Sequence, residues 1–384
     1  MKKYLALLFL ATICFNSSAQ ISKKIPFVYD SESSIKEYPE LNMLGIDQLK
    51  EQKELPNPLL MCDGKTKVTN LFEWKKRREE IAQMIQYYEI GEKPKVSLSD
   101  IHAEMSGDTL KVTVNVNGQS LLITSVISYP KGNGPFPLMI GTSHISLPKD
   151  IFENRPIALM TFHEAQVNNY SQFGKPSGRG NYPFDRLYPN LKENGAYSEW
   201  AWGLSRLIDG LQLLGSKKTK IDMKHIGVTG CSYAGKMALF CGAFDERVAL
   251  VIAQEPGGGG VANWRTSHQM KGVEDLDHTD YHWFKESLKE NFHGDSVYRL
   301  PYDHHELVAM VCPRAFLMLG NTDYPWLADP SAEVSMKAAM KVWEKLGVAN
   351  RVAYSIRGGH PHCQLPKEQY GIVEEFIDRF LLGE

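Results

Sequence analysis

The segment His225-Ile-Gly-Val-Thr-Gly230-Cys-Ser232-Tyr-Ala-Gly235-Lys-Met-Ala-Leu-Phe sets a serine between a buried apolar run and a helical stretch. A nucleophilic serine needs that placement, because on a sharp strand-to-helix turn flanked by small residues its hydroxyl stands clear of the chain. Gly230 and Ala234 occupy the two critical offsets, although the usual pentapeptide has glycine where Ala234 stands. A helix opening at this turn aims unpaired N–H groups and a partial positive charge at the reacting centre, ready for an oxyanion. Lys236, one turn on, faces the same side. The plainer alternative makes Ser232 a helix cap and leaves Lys236 on the surface.

A serine hydroxyl is a poor nucleophile until a histidine takes its proton and an acid orients that histidine. Where the elbow belongs to an α/β-hydrolase, the chain order is serine, acid, histidine. The base then sits in a loop after the last strand, which here leaves Gly358-Gly-His360-Pro-His362-Cys363. Two acids are placed to serve it. Glu255 ends the strand that follows the elbow helix, and Asp323 follows a later strand. Either could instead cap a loop, and the residues alone leave the choice between them open. His304-His305 and His360-x-His362-Cys363 have the wrong spacing for a helix-borne metal site, so no metal and no cofactor is expected.

The elements that must position these groups follow from periodicity. Short apolar runs (137–141, 157–162, 225–230, 248–253, 315–320 and 351–356) alternate with helical stretches (199–214, 234–244, 331–346 and 368–382). That alternation predicts an α/β fold: a three-layer sandwich with a mixed, mostly parallel central sheet and helices on both faces. Upstream, three alternating stretches between Ile101 and Tyr129, with Asn117-Gly118 as a turn, predict antiparallel strands. Asn70 and Glu73 have capping-box spacing ahead of the apolar face Ile81, Met84, Ile85 and Tyr88, and Gly91 suits the stop. Residues 20–68, with four prolines and little periodicity, read as an extended arm on a single catalytic domain spanning 20–384.

Composition sets the outer bounds. At 384 residues, 43% hydrophobic, 23% charged and a formal charge of −2, the chain has no basic surplus for nucleic acid and no disordered character. Lys2-Lys3, the apolar run Tyr4 to Phe15 and small residues at Ser17 and Ala19 have the layout of a secretory signal over residues 1–19. The run is shorter than the roughly 20 residues a membrane span needs. Secretion or a periplasmic location, with no membrane association after cleavage, is the expectation. Five cysteines then remain, an odd count that leaves at least one free thiol. Gly257 to Gly260 follows a strand directly and lacks dinucleotide-binding spacing.

Taken together, these motifs resemble the glucuronoyl methylesterases of carbohydrate esterase family 15. The resemblance runs through Asn57-Pro-Leu, Gly91-Glu-Lys-Pro, Trp200-Ala-Trp202-Gly-Leu-Ser-Arg-Leu-Ile-Asp209, Gly230-Cys-Ser232 to Lys236, Gln254-Glu255-Pro-Gly-Gly, Pro301-Tyr-Asp-His-His305 and His360-Pro-His362-Cys363. It implies an α/β-hydrolase in which Ser232 is the nucleophile, His362 the base and Glu255 the orienting acid. It further implies a Cys231–Cys363 disulfide, with Lys236 and Trp326 holding a glucuronate ring and Gln269 and Glu274 as further sugar contacts. The family has arginine directly after the nucleophile. Here Tyr233 stands there, a phenol that can donate one hydrogen bond to an oxyanion but brings no positive charge. Asp323-Tyr-Pro-Trp326 also carries two residues more than the family's Asp-Trp. The implied activity is cleavage of (4-O-methyl-)glucuronate esters on glucuronoxylan, lignin–carbohydrate esters included, by a monomer. The rival readings are an acetyl or other carbohydrate esterase and a noncatalytic carbohydrate-binding relative.

Overall fold

In a computed structural model of the chain, residues 25–172 and 178–384 are described. The leader expected over residues 1–19 lies outside them. The strands are β1 (Ile101–Ser106), β2 (Thr109–Val116), β3 (Gln119–Ser128), β4 (Phe136–Thr142), β5 (Ala158–Phe162), β6 (Ile221–Cys231), β7 (Leu250–Gln254), β8 (Ala315–Asn321) and β9 (Val352–Arg357). They form one nine-stranded sheet in the order β1-β2-β3-β5-β4-β6-β7-β8-β9. β1, β2, β3 and β5 pair antiparallel, while every pairing from β5 across to β9 is parallel. Asn117 and Gly118 turn the β2–β3 hairpin with φ of 53° and 72°, the left-handed pair that a two-residue turn requires. β6 begins at Ile221, ahead of its apolar run, because Ile221 pairs with Phe136 before a register shift.

The parallel strands are apolar at consecutive positions because both faces are covered. Leu138, Ile140, Val251, Ala253, Phe316 and Met318 face one core with α1 (Leu71–Ile85), α2 (Ala196–Leu214), α3 (Tyr233–Phe244) and α4 (Asp329–Lys345). The alternate residues Met139, Leu250, Ile252, Leu317 and Leu319 face a smaller core with Val373, Phe376 and Ile377 of α5 (Lys367–Ile377). At the start of α1, Asn70 Oδ1 accepts the Glu73 N–H at 3.1 Å as its spacing suggests. The reciprocal bond differs from a capping box. Glu73 Oε2 takes the Thr69 N–H (2.6 Å) and the Thr69 hydroxyl (2.7 Å), because Thr69 offers two donors where the Asn70 backbone would offer one.

The arm from residue 25 is largely irregular and clasps the domain through backbone groups. Tyr29 N–H reaches the Glu246 carbonyl (3.2 Å), Leu41 N–H reaches Gln83 Oε1 (2.8 Å) and Gln52 N–H reaches the Tyr298 carbonyl (2.7 Å). Glu32 pairs with Lys93 and with Arg206.

The strand order reverses around β4, with β5 on one side and β6 on the other. Ligand crevices of open α/β sheets lie at the carboxyl ends of strands at such a point. The turn out of β6 is crowded there. A Cβ on Gly230 would stand 2.2 Å from Thr142 Oγ1 and 2.3 Å from the Ala234 carbonyl oxygen. Gly230→Ala is therefore expected to lose about 1–3 kcal/mol of stability, measured as a lower denaturation midpoint with unchanged slope. An unperturbed midpoint would show that β4 and the elbow can separate.

Candidate active site

Sheet register brings the first two groups together. Cys231 of β6 pairs with Gln254 of β7, so Ser232 and Glu255 leave the sheet side by side at its carboxyl edge. Ser232 donates its N–H to the Gln254 carbonyl (3.0 Å), and Glu255 donates its own to the Leu319 carbonyl of β8 (2.7 Å). Both turn sharply, Ser232 with φ 60° and ψ −126° and Glu255 with φ 47°. Ser143, beyond β4, and Cys363 are left-handed too, at 65° and 62°. Non-glycine residues in this region cost about 1–3 kcal/mol each and persist where surrounding contacts over-determine them.

The histidine loop closes on this edge. Cys363 is disulfide-bonded to Cys231, with Cα atoms 5.6 Å apart, so Ser232 and His362 each adjoin one end of the bond. Glu255, 1% exposed, takes the loop with both carboxylate oxygens: Oε2 lies 2.5 Å from His362 Nδ1, and Oε1 accepts the Cys363 N–H at 3.1 Å. That bond to Nδ1 leaves Nε2 as the ring atom free for proton transfer. The two acids left open by sequence are thereby separated in space. Asp323 Oδ2 accepts the main-chain N–H groups of Gly359 (2.6 Å) and His360 (3.2 Å), capping the loop without touching the His362 ring. His360 is buried beside Asn321, whose Nδ2 sits 3.2 Å from its Nδ1 and donates to its carbonyl at 3.1 Å.

Lys236 lies on the first turn of α3 and is 3% exposed. Its ammonium bonds Glu274 Oε2 at 2.7 Å and sits 5.1 Å from the Trp283 ring centre, while Thr279 donates to Glu274 Oε1 at 2.8 Å. Glu274 is tied in turn to the Trp326 carbonyl through its N–H (2.9 Å). Trp326 is 46% exposed and stands edge-on to His362, ring centres 6.0 Å apart. Lys236, Glu274, Trp326 and His362 are thus joined in one chain of contacts. Gln269 is not drawn into it by any described side-chain contact; it is exposed at the end of a short helix, its N–H bonded to the Thr266 carbonyl.

Tyr233 donates its hydroxyl to Ser143 Oγ (3.0 Å) and Glu164 Oε1 (3.1 Å), and its ring stacks near Trp283 at 6.4 Å. Burial pushes the phenol up to about 12, so it is a neutral donor with partners already in place. His304 bonds the Glu89 carboxylate (2.8 Å) and the Gly260 carbonyl (2.6 Å), and His305 bonds the Pro56 carbonyl (2.7 Å), so both are packing groups. Sequence reasoning passed over Trp283, which underlies Lys236 and Tyr233, and gave Asn321 and Tyr324 no role. Only the position of Asn321 at the end of β8 signals it beforehand.

A family profile described as "Glucuronyl esterase, fungi" matches residues 112–347. The 4-O-methyl-glucuronoyl methylesterase of Thermothelomyces thermophilus is 37% identical over 337 residues, covering 86% of this chain and 82% of that protein. The catalytic domain of the glucuronoyl esterase of Hypocrea jecorina superposes with a TM-score of 0.81 at 34% identity, over 90% of this chain and 92% of that one. A serine-to-alanine variant of the Sporotrichum thermophile glucuronoyl esterase, in complex with methyl 4-O-methyl-β-D-glucopyranuronate, gives 0.80 at 35% identity over 88% and 89%.

One further carboxyl stands behind the histidine loop. Asp329, at the start of α4, has Oδ2 buried without a hydrogen-bond partner. Burial, with the nearby Glu255 charge, raises it to about 6, against partial relief from the Asn321 backbone and His360. Its unfolded value is about 3.9, so the stability this group lends is full below about pH 4 and is lost as pH rises through 6. Asp329→Asn stays neutral throughout. The Tm of the variant minus that of wild type is expected to climb between pH 4 and pH 7, and a flat difference would refute the assignment.

Proposed function

The chain belongs to the glucuronoyl esterases of carbohydrate esterase family 15, and on that premise we propose that it hydrolyses esters of glucuronic and 4-O-methylglucuronic acid side groups on glucuronoxylan, lignin–carbohydrate esters included, through an acyl-enzyme on Ser232. The observation that carries this reading is the Glu255–His362 bond held beside the strained Ser232 by the Cys231–Cys363 disulfide.

In this reading His362 Nε2 takes the Ser232 proton as Oγ attacks the uronoyl carbonyl. The imidazolium so formed is held by Glu255 through Nδ1–H. The tetrahedral intermediate collapses, the alcohol leaves with the proton from Nε2, and the uronoyl group stays on Oγ. Water, deprotonated by the same nitrogen, then releases the uronic acid and restores the serine. Because the Tyr233 hydroxyl already has partners, the oxyanion falls to backbone N–H groups at the start of α3. The ladder of that helix opens with Lys236 N–H on the Ser232 carbonyl (3.0 Å), leaving Tyr233 and Ala234 N–H upstream of it.

The Lys236–Glu274 pair supports a sugar rather than a free anion as ligand. It offers a donor and an acceptor side by side, the complement of vicinal hydroxyls, while its charges neutralise each other. An unhydrolysed uronate ester is uncharged and hydroxyl-rich, as such a pair requires. The disulfide also favours export from the cytoplasm, as the leader reading has it.

Hydrolysis of benzyl glucuronate beside an aryl acetate tests the proposal. Wild type is expected to favour the glucuronate and Ser232→Ala to abolish turnover; preference for the acetate would indicate another carbohydrate esterase, and inertness toward both a binding relative. Glu255→Gln should cost about 10²-fold or more in kcat, and Asp323→Asn less than about tenfold, since an amide oxygen still accepts one of the two loop N–H groups. The reverse order would make Asp323 the acid. Tyr233→Phe is expected to change kcat by less than about threefold, against the 10²–10³-fold typical of a lost oxyanion donor.

A further inference from the structure

We propose that Tyr324 is a positioning residue for His362, fixing through the main chain where the imidazole stands beside the Ser232 turn. The inference rests on the esterase reading above for its kinetic consequence, though not for its geometry.

The loop from Asn321 to Trp326 grips the histidine loop group by group. Asn321 Nδ2 takes the His360 carbonyl, and Asp323 Oδ2 takes the Gly359 and His360 N–H groups. The next main-chain donor, the N–H of His362 itself, goes to the Tyr324 phenol oxygen at 2.8 Å. Glu255 Oε1 then takes Cys363 N–H. Tyr324 is thus the member of this series that holds the amide of the proton-transfer residue itself. Its ring also lies against the imidazole, centres 5.3 Å apart and planes tilted by 55°, and is backed edge-on by Trp326 at 4.7 Å. Glu255 fixes the imidazole at Nδ1 and so sets its rotation, while Tyr324 fixes the Cα from which the ring hangs. Both restraints are needed to place Nε2, because a ring free to tilt about one hydrogen bond sweeps its far nitrogen through the largest arc.

Tyr324 is itself seated by main-chain bonds that do not involve its phenol oxygen. Its N–H reaches the Asn321 carbonyl at 3.3 Å, and its carbonyl takes Leu327 N–H at 2.9 Å. Removing only the phenol oxygen therefore leaves the loop, the disulfide and the aromatic packing in place. The cost falls on the geometry of proton transfer, where a shift of about 1 Å is worth up to 10²-fold in rate.

The test is Tyr324→Phe, read in three ways. With methyl and benzyl glucuronate, kcat is expected to fall about tenfold and equally for both alcohols, KM to stay within about twofold, and Tm to stay near wild type. By proton NMR, the Nδ1–H of His362 bonded to Glu255 is expected as a downfield resonance in wild type, and shifted and broadened in the variant. Tyr324→Leu, which also removes the ring, should lose more. An unchanged kcat with an unchanged resonance would overturn the proposal, and a raised KM that depends on the alcohol would make Tyr324 a substrate contact instead. Should wild type lack serine-dependent turnover, the functional reading fails, while the NMR comparison still decides whether Tyr324 holds His362.

Discussion

Most of the site hangs on one buried carboxylate. Glu255 is almost wholly removed from water, and a charge in that position is tolerable only when its oxygens are fully employed. They are: Oε2 faces His362 Nδ1, and Oε1 takes the Cys363 N–H, so one side chain grips both the imidazole and the backbone that carries it. Asn321 stands 3.4 Å behind at the limit of a hydrogen bond. The carboxylate reaches this spot because the β6–β7 register delivers Ser232 and Glu255 to the sheet edge together. A slip of the pairing would displace the acid along the edge and turn it to the opposite face.

The backbone around that carboxylate is held against its preferences. Ser143, Ser232, Glu255 and Cys363 all adopt left-handed conformations that side chains disfavour, and they come from the ends of β4, β6, β7 and the loop beyond β9. Such strain persists only where rigid neighbours impose it. Here the neighbours are parallel strands buried on both faces, together with the Cys231–Cys363 bond across 132 residues of chain. The disulfide connects residues that directly adjoin Ser232 and His362. It therefore constrains where the Ser232 turn and the His362 loop stand relative to each other.

The sequence exposed the sheet because alternation and apolar runs are local signals. The elbow was legible for the same reason, since Gly230, Ser232 and Ala234 lie within one turn. The choice between Glu255 and Asp323 was not: both follow strands, and only the relative register of β7, β8 and the last loop decides which carboxylate meets His362 and which meets main-chain N–H groups. Gln269 and Glu274 differ in surroundings that residue type does not reveal. The residue type of Gln269 suits a sugar contact, but the short helix before it ends with the side chain exposed, whereas Glu274, a few residues on, is drawn in by Lys236. The capping-box spacing of Asn70 and Glu73 likewise could not reveal that Thr69 would offer the better donors.

The charges around Lys236 bear on what the proposed site accepts. Tyr233 supplies no cation where the family has arginine, and its hydroxyl is committed to Ser143 and Glu164. Lys236 is neutralised by Glu274, so the pocket offers no unpaired positive charge near Ser232 among the groups described. An ester and the acid released from it differ mainly in one negative charge. In the proposed function, a Lys236–Glu274 pair that meets hydroxyls without attracting anions favours the neutral ester over its charged product. In the proposed reaction the oxyanion is then held by dipoles fixed in place before the substrate arrives, since among the described residues Tyr233 brings no cation and Lys236 is already paired. The strained turn at Ser232 sets the start of α3 against its hydroxyl, so in the proposed reaction the backbone conformation that costs stability also carries the electrostatics.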